Sequence, residues 1–137
     1  MKYNHNDYLN YELPEDWCAE YTDENLNIYN PNGKGAMTLS FYSIIETDKR
    51  LYEQIGIMGK KFIDQNKINL QGAFLVYGTE NIKMTLSGTG TTLDDWFIKI
   101  WIVAKKNKVV FITYQSQKKT SELKICDKIV ESMTFAF

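Results

Sequence analysis

The sequence predicts an α+β fold: a largely antiparallel sheet of about six to eight strands, with one long helix after the first strands and a second helix near the C-terminus. Three observations predict it. Met37, Leu39 and Phe41, and later Ile82, Met84 and Leu86, alternate with polar residues at the period of a half-buried strand. Two nearly unbroken apolar runs, 96–104 and 109–114, flank Lys105-Lys106-Asn107-Lys108 and have the character of central strands covered on both faces. Leu51, Ile55, Met58 and Phe62 fall on one arc at the helical period, with Lys49, Glu53, Lys60 and Asp64 opposite.

In chain order, residues 8–13 alternate only loosely and stop at Pro14. Residues 17–21 and 26–29 form two short strands separated by Thr22-Asp23-Glu24-Asn25. Asn30-Pro31-Asn32-Gly33-Lys34-Gly35 has the composition of a phosphate-cradling loop. Such a loop requires G-x-x-x-x-G-K-[ST] opening a helix, whose N-terminal amides meet the anion. Here Ile28 stands where the first Gly is needed, Gly35 follows the Lys, and a strand comes next. Pro31 presets φ, and Asn32 and Gly33 tolerate left-handed backbone, so the segment is predicted to be a hairpin turn.

The long helix is predicted over 47–66, with Gly56 and Gly59 marking close approach to the sheet. Residues 73–77 form the next strand, and Ile82 opens another that Gly88 and Gly90 punctuate. In the run 96–104, Ile98, Ile100 and Ile102 line one face. Phe97, Trp101 and Val103 line the other, with Lys99 among them. The last helix spans 120–133, its stripe being Leu123, Cys126, Ile129, Val130 and Met133. Thr120 or Ser121 caps it, Glu122 suits the positive end of its dipole, and 134–137 add a short strand. No repeat or linker interrupts this order, which reads as one domain over 1–137.

A chain of 137 residues buries a core without disulfide or metal staples. The net charge of −1 lacks the basic excess of a nucleic-acid binder. Charge is uneven, however: carboxylates dominate up to Glu24, and six lysines without a carboxylate lie between Lys99 and Lys119. No apolar leader opens the chain and no run approaches the roughly 18 apolar residues of a membrane helix, so the expected setting is cytoplasmic, with no membrane partner. Cys18 and Cys126 form no CxxC pair and no zinc site, and Cys126, mid-stripe, reads as a buried apolar side chain.

Catalytic signals are weak. His5, the sole histidine, lies in an unstructured-looking start. Asp94-Asp95 and Glu15-Asp16 lack the spacing of a calcium loop, and Gly88-Thr89-Gly90 lacks the rest of a dinucleotide loop. No catalytic residue, metal ligand or cofactor is therefore predicted. Aromatics stand above background: Tyr42, Phe97, Trp101, Phe111 and Tyr114 all fall on strands. They form either a second core layer under the last helix or the N-terminal segment, or a partly open surface. On the second reading the contact residues are Tyr42, Lys99 and Trp101 with Trp17 at the rim, supported by hydroxyls of Thr38, Ser40, Thr85 and Ser87.

The chain as a whole resembles PsbP-like domains. "YELPEDW" (Tyr11 to Trp17) is similar to their opening, in which a strand, a Leu-Pro and a Trp precede the first hairpin. Asn30-Pro31-Asn32-Gly33 sits where that superfamily carries its strand-joining turn, and "IVESMTFAF" (Ile129 to Phe137) is similar to its closing helix and aromatic tail. The resemblance implies a PsbP-like sandwich, an antiparallel sheet flanked by helices, and protein binding without known catalysis. Its members include photosystem accessory subunits, a regulator of the nuclear transport GTPase, bacterial envelope proteins and small bacterial domains. It carries over no catalytic residue.

The expected function is thus a non-enzymatic protein-interaction domain, bacterial by its Asn, Lys and Ile usage. Its concrete form is an immunity-type or regulatory protein that binds another protein through its sheet face or strand-end loops. The alternatives are a small-ligand binder with an apolar pocket between sheet and helix, and an enzyme using convergent carboxylates.

Overall fold

The computed structural model describes residues 1–45 and 48–137. Strand β1 (Lys2–His5) pairs antiparallel with β2 (Leu9–Glu12), and β10 (Thr134–Phe135) joins the other edge of β2 to complete a three-stranded sheet. The remaining strands are β3 (Cys18–Tyr21), β4 (Leu26–Tyr29), β5 (Gly35–Ser43), β6 (Asn69–Thr79), β7 (Lys83–Thr91), β8 (Phe97–Lys105) and β9 (Lys108–Ser116). They form a seven-stranded sheet in the order β3-β4-β5-β9-β8-β7-β6, with every neighbouring pair antiparallel. Helices α1 (Leu51–Asn66) and α2 (Glu122–Ser132) complete the α+β fold.

Alternation along the strands divides the core in two. Ile98, Ile100, Ile102, Val109 and Phe111 face α1, where Leu51 and Ile55 are buried. Trp101, Val103, Val110, Ile112 and Tyr114 face the opposite way, onto α2, β2 and Phe135 of β10. The predicted alternation of Ile98–Ile102 against Phe97–Val103 therefore holds. Phe111 packs on the α1 face and Tyr42 is half-exposed, whereas Phe97, Trp101 and Tyr114 form a second core layer. Cys126 is fully buried in it, and burial pushes its thiol up to about 12, with the Glu122 and Asp127 carboxylates adding to the shift.

Several local expectations change. The start is strand rather than unstructured. His5 stacks on Phe41 at 4.1 Å and lies 3.1 Å from the Tyr21 hydroxyl. The helix start predicted at Thr47 lies outside the described residues, and the described helix opens at Leu51. Residues 73–77 belong to a longer strand. A bulge between Gln71 and Leu75, with Gly72 at φ 78°, lets β6 begin at Asn69, before the predicted start at residue 73. Gly88 and Gly90 lie inside β7 and do not end it; a Cβ at Gly88 would run into the Phe74 ring. Gly59 meets that same ring, as close helix–sheet approach requires, whereas Gly56 faces open space. Neither Asn32 nor Gly33 is among the left-handed residues, although the turn they occupy does join β4 to β5.

One hairpin turn serves both helices. Glu80, between β6 and β7, accepts the Leu51 N–H at 3.1 Å, because Arg50 offers α1 no side-chain cap. Lys83 donates to the Met133 and Glu131 carbonyls at 2.8 and 3.0 Å at the other end of the dipole series, on α2. A carboxylate thus meets a helix N-terminus and an ammonium a C-terminus, each the favourable sign. At the start of α2, Thr120 does not cap. Its hydroxyl bonds the Tyr114 hydroxyl at 2.9 Å, and Ser121 makes no capping bond.

Candidate functional site

Helix α1 lies over β6, β7 and β8, leaving the β3-β4-β5 side of the same sheet face uncovered. The sequence makes that half polar. On β5, Thr38, Ser40 and Tyr42 alternate with the buried Met37 and Leu39, and they pair with Thr113, Phe111 and Val109 of β9. The polar groups are already linked across strands: the Thr38 hydroxyl donates to Asn27 Oδ1 at 3.1 Å, and the Ser40 hydroxyl to Asn25 Oδ1 at 2.9 Å. Further out, Tyr29 donates to Glu20 at 2.6 Å. Such bonds fix side chains in place and leave their remaining donors and acceptors facing solvent.

Where this half-face meets α1 there is a groove of about 460 Å³. Its floor is Phe111, Thr113 and Gln115; Met58, Lys61, Phe62 and Gln65 form the helix wall; and Tyr42 stands at the other side, 51% exposed. The expected pocket between sheet and helix is present, and its lining is mixed: Met58, Phe62 and Phe111 supply apolar surface beside the hydroxyls and amides. Among the described residues no carboxylate, histidine or cysteine lines it. The groove offers the rings of Tyr42, Phe62 and Phe111, the Lys61 ammonium and neutral hydrogen-bonding groups, a set suited to holding a surface.

The four residues predicted to make contacts are not brought together. Tyr42 lies on the α1 face, while Trp17, Trp101 and Lys99 lie on the other, beneath α2 and the small sheet. Trp101 is 1% exposed and Trp17 3%, so neither reaches the surface and both are core side chains. Lys99 is committed as well: it donates to Asp127 at 2.7 Å, lies 5.1 Å over the Trp101 ring, and its side chain is 17% exposed. Thr85 and Ser87 are buried on that face too, whereas Thr38 and Ser40 accompany Tyr42. Strand parity was readable, but which face stays open depends on where α1 and α2 dock.

Lys61, Gln65, Thr113 and Gln115 were missed. The signal available was the pairing of two polar alternations, on 38–42 and 111–115, since adjacent strands that are polar on the same face imply an uncovered sheet.

Among the described residues no group of His, Cys, Asp and Glu side chains is placed to hold a metal ion, and no helix is long and apolar enough to cross a membrane. No protein-family model and no curated protein sequence matches the chain. Solved structures do. The solution structure of the cyanobacterial PsbP (CyanoP) of Synechocystis superposes with a TM-score of 0.70 over 97% of this chain and 90% of that one, at 12% identity. The chain has a PsbP-like fold. A mutant of the protein Mog1 shares that fold, with a TM-score of 0.61 over 97% of this chain and 94% of that one, at 8% identity. A crystal structure from Bacteroides thetaiotaomicron aligns with a TM-score of 0.55 and 15% identity over 96% of this chain but only 47% of that one. The PsbP-like resemblance of the sequence thus extends to the backbone, and at these identities it concerns the fold.

Proposed function

We propose that this PsbP-like chain is a non-catalytic protein-interaction domain, of regulatory or immunity type, that binds a partner protein through the open half of its sheet and the groove beside α1. The observation that carries the reading is the position of Tyr42, a half-exposed aromatic ring above pre-ordered hydroxyls and amides on a rigid sheet. Tyrosine suits such a role because it buries a large area at low entropic cost and keeps a polar tip. Among the described residues the groove has no carboxylate, histidine or cysteine, which gives no support to acid–base or nucleophilic chemistry. The likeness to PsbP and Mog1 supports the reading at the level of fold analogy.

The test is affinity capture from the source organism's lysate, comparing the native chain with Tyr42→Ala and with Thr113→Arg. A stoichiometric protein retained by the native chain and lost with both variants is expected. A protein retained equally by all three would move the site off this face.

The mixed lining, with Met58, Phe62 and Phe111 beside hydroxyls and amides, favours one second reading, a small ligand with an apolar body and polar groups. Native mass spectrometry of the purified chain would detect it as a fixed added mass that Tyr42→Ala releases.

A further inference from the structure

The seven-stranded sheet has two edges of opposite character. At one end β3 is four residues long, contains Glu20 and is followed by Asp23 and Glu24. At the other end β6 runs for eleven residues, Asn69–Thr79, without a charge or a proline. Its regular half exposes Leu75 (68%), Val76 (47%) and Tyr77 (51%). Long edge strands are ordinarily blunted by lysine, proline or shortness, since their free amides and carbonyls template further pairing. The bulge near Gln71 protects only the first half of β6.

We propose that two copies of this chain associate through β6, antiparallel and edge to edge about a two-fold axis, so that their sheets become continuous. This goes beyond the partner site at Tyr42, which lies across the sheet on β5. The absence of charge selects the occupant. Self-pairing about a two-fold sets residues near the axis against themselves or their close neighbours, so any charge there would face its like. On β6 the axis near Val76 instead sets Val76 against Val76 of the second copy, and Leu75 against its Tyr77, an aliphatic–aromatic pair on the opposite face.

A second observation points the same way. Among the described residues a Cβ at Gly56 of α1 would meet nothing within 4 Å, so no close approach among them accounts for a residue that weakens a helix. Gly59 packs on Phe74 of β6, while Met58 and Phe62 line the groove on the other flank. Gly56 and Tyr52, on the turns before Gly59, therefore lie on the flank towards the β6 edge. In the continuous sheet the two α1 helices flank the axis on one face, and Gly56 is where their backbones come near each other.

Sedimentation equilibrium across micromolar concentrations tests this. The native chain is expected at twice its 16.0 kDa mass. Leu75→Lys and Val76→Lys, at exposed positions, are expected at 16.0 kDa with unchanged circular dichroism. Gly56→Ala is expected to raise the dimer dissociation constant at least about tenfold, yet to raise the thermal midpoint in the monomeric Val76→Lys background. A native chain that stays at 16.0 kDa would overturn the proposal and leave the edge to an extended segment of another protein. A dimer that both lysine variants retain would overturn it equally, and an unchanged constant for Gly56→Ala would remove α1 from the interface.

Discussion

Glu122 Oε1 accepts the Gly35 N–H at 2.7 Å and so ties the first turn of α2 to the β4–β5 hairpin, 87 residues earlier in the chain. The same oxygen accepts the Lys34 N–H at 3.1 Å and the Tyr114 hydroxyl at 2.8 Å. The stretch that resembles a phosphate loop thus does present amides to an anion, but the anion is the chain's own carboxylate. A Cβ at Gly33 would push that carboxylate out of its place.

Removing the carboxylate leaves these donors without their acceptor. Glu122→Ala is expected to lower stability by about 2 kcal/mol, and Glu122→Gln by less, since an amide oxygen still accepts. Urea unfolding checks this: the midpoint should fall while the slope is unchanged.

Alkaline pH should unfold the protein through buried acids, Cys126 and Tyr114 among them, and later Tyr11, whose phenol burial also raises. Burial raises the Cys126 thiol from 9.0 to about 12. Burial also raises the Tyr114 phenol from 10.0 to about 12, with Glu122 adding to the rise and the Thr120 and Ser116 hydrogen bonds opposing it. Both groups hold their protons longer when folded, so the stability they contribute is complete below the unfolded values and is lost as pH climbs towards about 12. Unfolding free energy should therefore fall above pH 9.0, and Cys126→Ala should delay the onset towards the tyrosine value of 10.0. Thiol labelling of the native chain at neutral pH should mark Cys18 and spare Cys126.

The two aromatic residues first paired as contacts should separate by phenotype. Trp101→Ala empties a fully buried site and is expected to cost about 3–5 kcal/mol. Tyr42→Ala truncates a half-exposed ring and should stay within about 0.5 kcal/mol of the native chain. Thermal unfolding of both variants measures the difference.

Gly88→Ala forces a methyl group into the Phe74 ring and is expected to cost about 1–3 kcal/mol. If that collision is the cause, Phe74→Leu should recover part of the loss in the double variant, which a double-mutant cycle reads directly.

The elements legible in the sequence were those whose side chains report their own period. The Leu51–Phe62 arc, the Ile98–Ile102 alternation and the mid-stripe Cys126 all lie where expected. What stayed hidden depends on contacts between segments distant in the chain. Glu80 caps α1 and Lys83 caps α2 from another element, so neither helix end carries its own capping residue. β6 extends through a bulge that composition presents as a break. His5 is ordered by Phe41 and Tyr21, neither of them a sequence neighbour. The site followed the same logic. Tyr42 was visible as a strand aromatic, but that it alone of the four stays largely exposed is decided by where α2 and the small sheet dock on the far face.

The proposed partner site is the sheet half beside α1, around Tyr42. Hydroxyl-radical footprinting of the captured complex against the free chain tests it most directly, read at Tyr42 and Met58 with the exposed Tyr21 as control. Tyr42 and Met58 are expected to lose most of their labelling in the complex while Tyr21 keeps its own. Equal labelling of Tyr42 in both states, with protection elsewhere, would contradict it.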